Sequence, residues 1–89
     1  NPVKYYNNGL RYDTDTAHLI FEWSNDLPYS DFNHCSWDLY VTPKGAYFQI
    51  DNHDRLEVLT EEEAYVHLED VQAPSEVMEK HFSHIIEDA

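Results

Sequence analysis

Six histidines and one cysteine in 89 residues make metal chemistry the first question this chain raises. His34 and Cys35 are adjacent, and His53 stands beside Asp54 further along. A thiolate, imidazoles and a carboxylate can close a tetrahedral zinc shell, and a small domain gains much stability from one. Cys35, His53 and His34 are therefore the candidate ligands, with zinc the candidate cofactor. Neither C-x-x-C nor H-x-x-x-H spacing occurs, so the same residues also read as a lone thiol among scattered surface histidines. His81 and His84, three apart on a helical segment, share neighbouring surface that could form a metal or pH-sensitive patch, and they read rather as solvated, with His81 bordering the apolar face. Nucleophilic catalysis has less to draw on. His34 and Cys35 would point to opposite faces of an extended segment. No G-x-S-x-G motif is present, and both glycines sit in apparent turns rather than in a phosphate-cradling loop. The chain is expected not to be an enzyme.

Carboxylates are the larger signal. Eighteen acids face five bases, a formal charge of −13 with a pI near 4.5. Lys4, Arg11, Lys44, Arg55 and Lys80 form no cluster. Nucleic-acid binding draws most of its affinity from clustered cations that displace counterions from phosphates. Direct contact with DNA, RNA or an anionic membrane is thus disfavoured. A protein with a basic surface is attracted instead, and electrostatic steering speeds that encounter. The acid concentrates late, for ten of the carboxylates lie in residues 57–89. Glu61, Glu62, Glu69, Asp70, Glu76 and Glu79 are the expected partner contacts, with Tyr65 at their rim. On two adjoining helices they would present charge at spacings near those of DNA phosphates and compete for a basic nucleic-acid groove. The same run also reads as a solvated face that maintains solubility.

The elements that must position these groups divide into two parts. Residues 1–59 hold most of the aromatics and read as β-rich; residues 60–89 read as acidic and helical. A chain of this length is one domain, 1–89. Asn7-Asn8-Gly9 between Val3–Tyr6 and Leu10–Tyr12 predicts a short hairpin. Over 17–23 a strand and a helix compete, and the β-branched and aromatic content favours the strand. In that strand Leu19, Phe21 and Trp23 share one face. Thr42-Pro43-Lys44-Gly45 supplies the turn of a hairpin over 37–51. Leu56–Leu59 reads as a fourth strand. Thr60 and Glu63 have capping-box spacing, and Ala64, Leu68 and Val71 recur at i, i+4 and i+7. Pro74 suits the first turn of a second helix, whose apolar face is Met78, Phe82, Ile85 and Ile86. The expected fold is α+β: a small antiparallel sheet of three or four strands followed by two C-terminal helices. No apolar run approaches a membrane span and no signal-peptide pattern opens the chain. Asn1-Pro2 reads as a remnant. One cysteine excludes an intrachain disulfide and suits a reducing cytosol. The expected state is a cytoplasmic monomer.

YDTDTA at 12–17, EWSN at 22–25, DFNHC at 31–35, LYVTPKGAYF at 39–48, LTEEEA at 59–64 and EKHFSHIIEDA at 79–89 follow one another in an ordered series. Together they resemble a family of small proteins from phages and mobile elements of Gram-positive bacteria. The resemblance covers most of the chain. It departs after the hairpin, where QIDNHDRLEV replaces a longer Gly-rich stretch. In size and acidity the chain is also similar to anti-CRISPR proteins. This resemblance implies a phage-encoded inhibitor of a host CRISPR–Cas effector, acting in the host bacterial cytoplasm as an acidic DNA mimic. The implied partner is Cas9 with its guide RNA, whose grooves hold the heteroduplex and read the PAM through arginines. The alternative expectation is a zinc-stabilised protein–protein interaction module of a phage or mobile element.

Overall fold

The computed structural model describes residues 3–89; the expected Asn1-Pro2 remnant lies outside them. The chain builds a two-stranded hairpin, β1 (Lys4–Asn7) and β2 (Leu10–Asp13). A four-stranded antiparallel sheet follows, in the order β3 (His18–Ser24), β4 (Ser36–Val41), β5 (Tyr47–Asp51) and β6 (Leu56–Leu59). Helices α1 (Glu61–Asp70) and α2 (Ser75–Phe82) complete it. This is the α+β fold expected from the sequence, with the boundary between its parts at Thr60. The first hairpin forms its own sheet rather than extending the larger one.

Local chemistry explains each junction. Asn8 and Gly9 take φ of 50° and 76°, the pair of positive values that a two-residue hairpin turn demands. At the β4–β5 turn Gly45 takes φ of 89°, and the Thr42 hydroxyl accepts from the Ala46 N–H at 3.0 Å. The β5–β6 turn is organised by Asp51, whose carboxylate accepts from the His53 and Arg55 N–H groups and from Arg55 Nε at 2.8, 3.0 and 2.9 Å. Partial burial pushes that carboxyl up, and the hydrogen bonds and the guanidinium outweigh it, holding Asp51 below its ordinary value. Thr60 caps α1 reciprocally: its hydroxyl accepts from Glu63 N–H at 3.1 Å, and Glu63 accepts from Thr60 N–H at 2.8 Å. Such a cap stabilises a helix by about 1 kcal/mol.

The core has two layers because the sheet is covered on both faces. Trp37, Leu39 and Tyr47 meet Ala64, Leu68 and Phe82 of the helices on one side. Phe48 and Ile50 meet Tyr12 of the hairpin on the other. Central β5 is consequently buried at four successive residues, Tyr47, Phe48, Gln49 and Ile50. Sequence alternation predicts half-burial of an antiparallel strand with one wet face; the hairpin removes that wet face.

Two sequence expectations need correction. Pairing skips from Leu19–Tyr40 to Phe21–Leu39, so Ile20 is the extra residue of a bulge. Phe21 and Trp23 therefore join Trp37 on the helix side, while Leu19 lies with Tyr40 on the opposite face. The second helix ends at Phe82, so Ile85 and Ile86 do not continue its face. Ile86 still packs against the helix-side core, but from the chain beyond the helix. His84, also past the end, is held by Glu61 at 2.8 Å.

One strand pair is electrostatically adverse. Glu22 and Asp38 stand directly opposite each other on β3 and β4. Partial burial, and then the Glu22 charge, push the Asp38 carboxyl above its ordinary value. An acid raised in the folded state penalises the fold while ionised, and the penalty fades as pH falls through that raised value. Glu22→Lys should stabilise the protein by about 0.5–1 kcal/mol at neutral pH. Thermal melts across the acidic range check this: the variant's advantage over the parent should shrink as the pH is lowered.

Candidate functional site

Helix α1 lies over the sheet with Ala64 and Leu68 buried beneath it. At 100° per residue, this turns Glu62, Val66, Glu69 and Asp70 to solvent and leaves His67 on one flank. The His67 ring stacks on Trp37 with centroids 4.3 Å apart, and its Nε2 is buried without a hydrogen-bond partner among the described residues. On the other flank Tyr65 packs edge-on to Phe82 of α2. A hydrogen bond to Glu69 pushes the Tyr65 phenol up from its ordinary value.

Between α1 and β6 runs a groove of about 360 Å³, lined by Glu57, Leu59, Glu62, Glu63, Val66, His67 and Asp70. Its floor is apolar and its rim carries four carboxylates. The ion pairs among the described residues are Lys4–Asp13, Arg55–Asp51 and His84–Glu61, so none of the four rim acids is in one.

The six acids singled out in the sequence are divided by the fold. Glu62 and Asp70 reach the groove, whereas Glu61 is engaged by His84 and Glu69 by Tyr65. Glu76 and Glu79 are exposed on α2, whose inward side is Val77, Met78 and Phe82. Glu57, Glu63 and His67 belong to the groove and were not among the expected contacts. Leu59 facing the core implies Glu57 on the same side as Leu59 two residues away, but only the sheet order shows that β6 is an edge.

A second cleft lies between the β3–β4 loop and the β5–β6 turn, lined by Tyr29, Ser30, Asp31, Phe32, His34, Asn52 and His53. Asn25 and Asn52 tie it together through bonds to Leu27, Asn33, Cys35, His34 and Ser36. Of the three candidate zinc ligands, His34 and His53 share this cleft, while Cys35 is exposed and is not part of its lining. His34 Nδ1 contacts the Leu27 carbonyl at 2.8 Å and its Nε2 is buried without a hydrogen-bond partner among the described residues. No group of three or more His, Cys, Asp or Glu side chains among the described residues converges as a metal shell. Of the His81 and His84 pair, His84 is exposed but bonded to Glu61, and His81 is half-buried with its ring centroid 5.3 Å from that of His18. Burial first, then His18 and Lys80, hold the His81 imidazole below the ordinary value.

Comparison with known proteins finds no relative: no family model, curated protein or solved structure matches the chain. Among the described residues no helix is long and apolar enough to cross a membrane.

Proposed function

We propose that this chain is a non-enzymatic inhibitor that presents carboxylates to the basic nucleic-acid groove of a partner protein. The observation that carries the reading is the set of solvent-facing acids on α1 and α2. Glu62, Glu69, Asp70, Glu76 and Glu79 are all exposed, and none is in an ion pair among the described residues. A surface kept anionic by the fold favours a cationic partner and speeds its capture. Held on short helices, the charges keep fixed spacings, so the partner meets a shaped anion and not a flexible tail.

The sequence resemblance directs the reading to a guide-loaded Cas9-type effector, with the chain as a phage-borne DNA mimic. The test is binding to guide-loaded Cas9 with and without PAM-containing DNA already bound. Association that prior DNA abolishes supports occupation of the DNA groove; no association with the free effector overturns this target.

A zinc-stabilised interaction module is the second reading, favoured by His34 and His53 sharing one cleft in which His34 Nε2 has no hydrogen-bond partner among the described residues. It predicts near-stoichiometric zinc in the purified protein and a fall in melting temperature with a chelator. A metal-free protein with an unchanged melt removes it.

A further inference from the structure

The groove between β6 and α1 carries an inference that does not depend on the effector reading. We propose that it binds an extended peptide of alternating cationic and β-branched residues, which adds to the sheet as a strand beside β6. The edge is the first requirement. β6 ends the strand order, and it pairs with β5 across all four of its residues without a register shift. Its outer side therefore offers regular backbone donors and acceptors. β3, at the opposite end, is bulged at Ile20, and a bulge spoils the template for a new strand.

Side-chain chemistry names the occupant. Glu57 and Leu59 lie on the helix side of β6, paired with Gln49 and Tyr47, and Val58 lies on the opposite side, paired with Phe48. An added strand sends alternate side chains to these same two sides. On the helix side, Lys or Arg stems would lie over Leu59 and Val66 and place their charged heads among Glu57, Glu62, Glu63 and Asp70. On the other side, a β-branched residue would cover Val58. Val66 and Val58 are 51% and 38% exposed, apolar surface that such a strand would remove from water. The rim carboxylates are in no ion pair among the described residues, in a chain with only five bases against 18 acids. Charge complementarity thus selects a basic peptide over a neutral or acidic one.

Titration of the 15N-labelled chain with the blocked hexapeptide Lys-Val-Lys-Val-Lys-Val tests this. Amide shifts should concentrate in 56–59 and 62–70, with slowed exchange at 56–59. Glu57→Lys combined with Asp70→Lys should weaken binding by about tenfold or more. Val66→Lys, at an exposed helix position away from the strand, should also weaken it. A control peptide with proline in place of valine keeps the charge but cannot pair, and should fail. Four results would each overturn the proposal: no shifts, shifts spread equally over the acids of α2 and the C-terminus, insensitivity to the variants, or equal binding of the proline peptide.

Discussion

Phe82→Ala should remove most of the stability of this protein. Phe82 is fully buried, with its ring 5.7 Å from Tyr47 of the sheet and 5.6 Å from Tyr65 of α1. It is the one residue of α2 that is wholly excluded from water, and α2 has only eight residues. A helix so short does not persist alone, so its order depends on this docking. Truncating a buried Phe costs about 3–5 kcal/mol in lost burial and residual cavity. A domain of this size has little above that in reserve, since small chains bury a smaller share of their surface. The expected fall in melting temperature is on the order of 20 °C. A thermal melt followed by far-UV circular dichroism measures that fall, and urea denaturation followed by tryptophan fluorescence measures the free-energy loss. A loss under about 1 kcal/mol would mean that α2 contributes little to the core.

Charge reversal on the exposed helix acids should produce the opposite combination, a protein that folds as well and binds far worse. Glu62→Lys, Asp70→Lys, Glu76→Lys and Glu79→Lys change exposed residues outside the core. Exposed substitutions usually alter stability by no more than about 0.5 kcal/mol each. All four relieve the self-repulsion of a chain carrying −13, but Glu62 and Glu76 lie in the first turns of α1 and α2, where the helix dipole favours an anion, so the two effects offset each other at those positions. If the acids make the partner contact, the four together should lower affinity for guide-loaded Cas9 by about a hundredfold or more. The parent's binding should also weaken steeply between low and moderate salt, and the variant's residual binding should not. Calorimetry at two ionic strengths, beside a melt, reads both. Unchanged affinity would return the acid to a solubility role.

The two outcomes test different layers, and the sequence was informative about them to different degrees. Turn and cap chemistry is local, so Asn8-Gly9, Thr42–Gly45 and the Thr60/Glu63 box identified their junctions directly. The end of α1 carried a weaker signal. Gln72 takes φ of 54° there, with Ala73 N–H bonding the Leu68 carbonyl, a closing turn that glycine usually marks. The bulge at Ile20 had no signal at all, because a single extra residue changes the side-chain phase without changing composition. Plain alternation puts Leu19 on the face of Phe21 and Trp23, and the bulge turns it to the other.

The acids show the same division. Their number, their bias towards residues 57–89 and the helices that carry them follow from residue types and 3.6-residue periodicity. Which of them meet is a long-range matter. Glu57 joins Glu62, Glu63 and Asp70 only because β6 is the sheet edge and α1 turns back over the sheet. Glu61 is drawn to His84, which lies 23 residues later in the chain. Likewise His34 and His53 share a cleft because β4 pairs with β5 and Asn52 bonds His34 and Ser36, while Cys35, next to His34 in sequence, is not part of its lining. Residue type and local spacing determined the elements and the sign of the surface. Strand order and packing, set by contacts between residues far apart in the chain, decided which side chains share a site.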